Sequence, residues 1–210
     1  MQKIKTIIFD LGGVIINLHV EKTISAFSKL SGLTEKEVEN AYLSAVFFKE
    51  YEKGLISDKN FRHSLRTNFN LTASDEEIDQ AWNAMLGQIP ADRIAEIKRL
   101  KRNYKCIILS NTNAIHAKAF HEILSNAYSY QHLNELFHEV YFSHELKQRK
   151  PDKEIYQNVL NLCKTEASKA LFMDDSKLNL ETASELGIHT LYITRNGGFM
   201  NLLENKLSEI

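Results

Sequence analysis

The chain has 210 residues, 43% hydrophobic and 25% charged, with a formal net charge of -1. A near-neutral chain of this length buries about 70% of its unfolded surface and folds without staples, and its overall charge attracts neither nucleic acid nor an anionic membrane. Cys106 and Cys163 carry no partner pattern and read as buried, reduced thiols.

Residues 4–9 form a β-branched apolar run, broken only by Lys5 and Thr6, that closes on Asp10-Leu11-Gly12-Gly13. An apolar run closed by glycines predicts a buried parallel strand. The start of the chain is too short and too soon charged for a signal peptide, and no apolar run approaches the ~20 residues of a membrane span. A cytoplasmic location is expected.

Residues 18–88 hold no strand pattern. Ile24, Phe27 and Leu30 mark one amphipathic helix, and Phe61, Leu65 and Phe69 another. Thr34 with Glu37, and Ser74 with Glu77, have capping-box spacing, and each predicts a helix start. From residue 91 the pattern changes. Ile94, Ile97 and Leu100 share a helix face after Pro90, and Ile155, Val159 and Leu162 share one after Pro151. Between and beyond these helices, strands are predicted at 106–109, 140–142, 170–173 and, as an edge, 190–193. The fold class is α/β: a doubly wound parallel sheet of residues 1–17 and 89–210, with an all-helical insert at 18–88.

Open parallel sheets bind ligands beyond the carboxyl ends of their strands. The first strand ends at Asp10, the second at Ser110-Asn111-Thr112-Asn113, and the fourth at Asp174-Asp175; Arg149-Lys150-Pro151-Asp152 follows the third. Each alone reads as turn or cap chemistry. Together they place three carboxylates, a hydroxyl, an amide and an ammonium on one sheet edge. Oxygen ligands with several carboxylates favour Mg²⁺, which shares its sphere with substrate phosphate. Lys150 can hold phosphate, and Ser110 and Asn111, at the start of the next helix, can add hydrogen bonds. A carboxylate becomes a useful nucleophile once phosphoryl charge is neutralised.

Phe9-Asp10-Leu11-Gly12-Gly13-Val14, Leu109-Ser110-Asn111, Lys150-Pro151-Asp152 and Phe172-Met173-Asp174-Asp175 resemble the four ordered motifs of the haloacid dehalogenase superfamily. Within it, Leu109-Ser110-Asn111-Thr112-Asn113 and the stretch Tyr51-Glu52-Lys53-Gly54-Leu55-Ile56-Ser57 are similar to bacterial α-glucose-1-phosphate phosphatases. The resemblance implies a Rossmann-like core under a helical cap, and a Mg²⁺-dependent phosphatase of small phosphate monoesters, sugar phosphates among them. It implies Asp10 as nucleophile, with Mg²⁺ on Asp10, the Gly12 carbonyl and Asp175. Asp174 and Asn179 then support the ion, and Ser110, Asn111 and Lys150 hold the phosphate. A monomer or homodimer without nucleic-acid or membrane partners is expected.

Gly12 departs from the pattern, because phosphatases of the superfamily usually carry a second Asp there as general acid and base. Backbone coordination survives the change; proton transfer does not, and such help is worth about 10²–10⁴-fold. His19, Glu50, Tyr51 and Glu52 are candidate cap donors. The glycine leaves two alternatives, a 2-haloacid dehalogenase and a non-catalytic phosphate-binding protein. The Asp174-Asp175 pair argues against the former, whose family members carry Ser and Asn there. No two histidines lie at i, i+4 for a zinc site, and no G-x-G-x-x-G fingerprint is present. Phe47, Phe48 and Trp82 read as cap core.

Overall fold

A computed structural model describes residues 3–209. Five strands, β1 (Thr6–Phe9), β2 (Lys105–Ser110), β3 (Glu139–Phe142), β4 (Ala170–Asp174) and β5 (His189–Tyr192), form one parallel sheet in the order β3-β2-β1-β4-β5. The most apolar run lies in the middle, and every residue of β1 is buried. Its side chains alternate between two cores, as the two-residue period of a strand requires. Ile7 and Phe9 join Ile108 and Met173 on one face, whereas Ile8 joins Leu109 and Phe172 on the other. The run 190–193 is indeed the edge strand, shifted by one residue.

Between β1 and β2 lie α1 (Val20–Ser31), α2 (Glu35–Ser44), α3 (Phe47–Glu52), α4 (Asp58–Phe69) and α5 (Asp75–Asn83). Thr34 and Ser74 both form reciprocal capping boxes, a device worth about 0.5–2 kcal/mol per cap. These helices close over their own core of Phe27, Phe48, Phe61, Leu65, Phe69 and Trp82. The two segments that lead into and out of them run side by side. Leu18 bridges Leu86 in antiparallel fashion, and Asn17 and His19 donate backbone hydrogen bonds to Gln88 and Met85. Asn196 clamps the crossing by binding both the N–H and the carbonyl of Leu18, at 2.7 and 2.9 Å.

The sheet is then flanked by α6 (Ala91–Leu100), α7 (Ala114–Tyr128), α8 (Ser143–Leu146), α9 (Lys153–Leu162), α10 (Lys177–Glu185) and α11 (Met200–Glu209). One expectation fails in α9: Leu162 is 49% exposed, and Cys163 takes the inner position beside Val159. The row facing the sheet advances by four residues per step, from Ile155 to Val159 to Cys163, rather than by four and three. Both cysteines are buried and free, as expected. Among the described residues no helix is long and apolar enough to cross a membrane.

Candidate active site

The carboxyl ends of β1, β2 and β4 open into a cavity of about 360 Å³ roofed by α2, α3 and α5. Asp10 follows β1, and its backbone N–H is fixed by the Met173 carbonyl at 2.8 Å. Beyond it the chain turns sharply, with Gly13 donating to the Ile16 carbonyl at 2.7 Å. Gly13 has φ +78°, and a Cβ there would sit 2.7 Å from the Asp175 carboxylate. Only glycine passes beneath Asp175 in this conformation.

Asp10, Asp174 and Asp175 present carboxylate oxygens that all lie within 4.8 Å of one another. Lys150, 1% exposed, donates to Asp10 Oδ1 at 2.8 Å and to Asp174 Oδ2 at 2.6 Å. Asp174 is further held by the Ser176 N–H at 2.7 Å and by the Asn179 amide at 3.0 and 3.2 Å. Arg195 donates to Asp175 Oδ2 at 2.5 Å. Burial pushes the Asp10 carboxyl up to about 7; Lys150 pulls it down, while Asp174 and Asp175 push it further up. The two carboxylates hold the Lys150 ammonium above its ordinary range although burial opposes the charge. A group so poised between neighbours is responsive to added positive charge. The donors are all oxygens, with no thiol or imidazole among them, and this chemistry fits Mg²⁺.

Asp10, Gly12, Ser110, Asn111, Lys150, Asp174, Asp175 and Asn179 all line this cavity. Their roles are not all alike. Ser110 is the last residue of β2, and the helix after it begins three residues beyond Asn111, capped by Asn113. The Asn111 amide is engaged by the Lys150 backbone, donating to its carbonyl at 2.8 Å and accepting from its N–H at 2.9 Å. Its side chain therefore positions Lys150, with its carbonyl oxygen and one of its two amide hydrogens engaged in that contact. No hydrogen bond among the described residues takes the Gly12 carbonyl.

The four candidate cap donors separate cleanly. Glu52 lines the cavity; His19, Glu50 and Tyr51 do not. Tyr51 donates its hydroxyl to Asp58 at 2.8 Å, and His19 lies 3.4 Å from Glu21. Trp82 belongs to the cap core and also to the cavity wall, stacked on His116 with centroids 4.7 Å apart. Burial lowers the His116 imidazole to about 4. Sequence reasoning missed Tyr42 and Arg195, which also line the cavity. Arg195 follows β5, so the strand-end rule that found Asp10 reaches it as well. Nothing in the sequence separates Tyr42 from an ordinary core aromatic.

A family model described as haloacid dehalogenase-like hydrolase matches residues 4–187. The D-ribitol-5-phosphate phosphatase of Bacteroides thetaiotaomicron is 31% identical over 89% of this chain and 90% of its own. The sesquiterpene phosphatase astK of Aspergillus oryzae is 27% identical, with 90% of each chain covered. Among solved structures, the HAD family enzyme bt-2542 of Bacteroides thetaiotaomicron, in complex with magnesium and inorganic phosphate, superposes with a TM-score of 0.85. It is 35% identical over 95% of this chain and 98% of that one. The chain therefore belongs to the haloacid dehalogenase-like hydrolase family, as an enzyme whose named relatives are phosphatases.

Proposed function

We propose that this enzyme is a Mg²⁺-dependent phosphatase of small phosphate monoesters, of the sugar-phosphate class, working through an aspartyl-phosphate on Asp10. The observation that carries the reading is the 2.8 Å contact between Asp10 Oδ1 and the buried Lys150 ammonium, within a cluster of three carboxylates. Lys150 neutralises charge on the nucleophile and on an incoming phosphate together, and so brings two anions within bonding reach. Asp10, the Gly12 carbonyl and Asp175 would hold Mg²⁺, which would supply further neutralisation of phosphoryl charge. An Asp10 carboxylate oxygen attacks phosphorus, the ester P–O bond breaks, and the leaving alkoxide takes a proton from water. A water molecule then cleaves the acyl phosphate, releasing inorganic phosphate and restoring the Asp10 carboxylate. Asp174, fully buried between Lys150 and Asn179, keeps the ammonium in place.

The test is phosphate release from a panel of esters with and without EDTA, with chloride release from chloroacetate measured alongside. Asp10→Asn, which keeps the side-chain shape, abolishes turnover in a folded protein under this reading. Full phosphate release in excess EDTA removes Mg²⁺ from the reading, and chloride release without phosphate release moves the chain to the dehalogenase class.

A further inference from the structure

The roof over Asp10 is mostly apolar, with Leu18, Val20, Met85 and Leu86 in its walls. Two cap residues in that lining, Tyr42 and Glu52, carry side-chain oxygens without a hydrogen-bond partner among the described residues. Tyr42 packs its ring against Phe48 and Trp82, at centroid distances of 4.7 and 6.3 Å, and among the described residues its hydroxyl makes no hydrogen bond. Glu52 accepts both Arg149 contacts on a single oxygen, Oε2, from Nε at 2.9 Å and from the second guanidinium nitrogen at 2.8 Å. Oε1 has no hydrogen-bond partner among the described residues.

Glu52 is also held with unusual firmness for a cap residue. Its carbonyl accepts from Ser143 Oγ at 2.6 Å, Lys53 pairs with Asp152 at 2.8 Å, and Lys147 reaches the Gly54 carbonyl at 2.6 Å. Gly54 has φ +60°, and a Cβ there would fall 2.2 Å from the His144 carbonyl oxygen. The loop is seated directly on the segment that carries Lys150. Burial first, and the Glu52 charge next, push the Tyr42 phenol up to about 12, so it stays a hydrogen-bond donor. Fixed polar groups in an apolar wall give orientation and specificity.

We propose that Tyr42 and Glu52 form a hydroxyl-recognising subsite, so that the substrate is a short polyhydroxylated phosphate ester rather than an apolar one. The inference rests on the phosphatase reading. Phosphate belongs at Lys150, whose buried ammonium lies 2.8 Å from Asp10 Oδ1. Arg149 already neutralises Glu52, so a neutral hydroxyl suits Oε1 better than an ammonium group. The apolar walls take the carbon chain, and the two oxygens take hydroxyls along it. An ester without hydroxyls covers the Tyr42 hydroxyl and Glu52 Oε1 and gives neither a partner, and a polar atom left unpaired in this way discriminates between substrates.

The experiment compares ribitol 5-phosphate with pentyl phosphate, which has the same carbon chain and no hydroxyls, in wild type, Tyr42→Phe and Glu52→Gln with Mg²⁺ present. Wild type is expected to prefer the pentitol ester in kcat/KM, and each variant to reduce that preference about tenfold, mainly through KM. Equal losses on both esters, or an unchanged ratio, overturn the inference and leave the phosphatase reading standing. No release from any ester overturns the phosphatase reading and this inference with it. Tyr42→Phe touches no ion pair, so it carries the test if Glu52→Gln loosens the cap.

Discussion

The Asn111 side chain grips Lys150 by its backbone on both sides, accepting from the N–H at 2.9 Å and donating to the carbonyl at 2.8 Å. Asn111→Ala removes both bonds and leaves the Lys150 ammonium itself intact. A displacement of about 1 Å in a catalytic group costs on the order of 10²-fold in rate. We expect kcat/KM for phosphate esters to fall by about that factor, with a melting temperature lowered by only a few degrees. Steady-state kinetics beside a thermal melt check this. An Asn111→Ala enzyme within twofold of wild type shows that Lys150 is positioned by other means.

Lys150→Met keeps most of the stem volume and removes a cation that pairs with both Asp10 and Asp174. Breaking a buried pair leaves uncompensated charge at a cost of about 3–5 kcal/mol. For a chain of this size that lowers the melting temperature by about 6–20 °C. Mg²⁺ at millimolar concentration should restore part of the loss, because it neutralises the same carboxylates. Kinetically, KM for phosphate esters rises and kcat falls. Melting curves with and without MgCl₂ read the first effect; an unshifted curve denies Lys150 its place between the two acids.

The strands and the strand-end acids were legible because each carries a local signature: an apolar run, then a short polar, acidic or glycine-rich segment. β1 to β4 and the cluster of Asp10, Asp174 and Asp175 follow from that rule alone. The partners of individual side chains were not legible. A short amide such as Asn111 binds an anion or a backbone with equal ease, and the choice depends on where the β3–α9 connection passes. Tyr42 has the same difficulty in another form. A ring half in a helical core and half in a cavity has the sequence signature of the core only. Leu162 failed because the buried row of α9 runs from Ile155 through Val159 to Cys163, four residues per step, which leaves position 162 off that row.

Arg195 donates to Asp175 Oδ2 at 2.5 Å, from a side chain that is 55% exposed. The Asp175 side chain is only 8% exposed, but the guanidinium end is screened by solvent, so the pair is worth on the order of 1 kcal/mol and competes modestly with a divalent ion for the same carboxylate. Arg195→Gln is expected to tighten Mg²⁺ binding by about two- to fivefold. Asp175→Asn should weaken it much more. Calorimetric titration of each variant with MgCl₂ reads both effects without reference to turnover. Weaker binding in Arg195→Gln means that the guanidinium supports the metal site instead of competing with it.

The last prediction concerns Gly12. Its backbone is not in the left-handed region; what excludes a side chain is Leu18, whose Cδ1 would lie 2.7 Å from a Cβ at position 12. That contact is with the end of a side chain that itself lines the cavity, so an added residue points into the space where a leaving group departs. With glycine there, no carboxyl protonates the leaving oxygen, and general acid help of about 10²–10⁴-fold is missing. Esters should therefore be ranked by leaving-group acidity, since a good leaving group carries its own charge in a loose transition state. Phenyl and ethyl phosphate make a suitable pair, because neither has hydroxyls for Tyr42 and Glu52. The apolar contact that the cap offers the phenyl group is matched by taking Leu18→Ala alone as the control. Phenyl phosphate should be turned over faster in wild type. Gly12→Asp combined with Leu18→Ala makes room for the carboxyl and should narrow that gap about tenfold or more, helping ethyl phosphate most. The measurement is kcat/KM for both esters in wild type, Leu18→Ala and the double variant, with a melting curve to confirm that the double variant is folded. A wild type indifferent to the leaving group places the proton donor elsewhere in the cavity, and Glu52 Oε1, the free carboxylate oxygen of the roof, becomes the group to mutate.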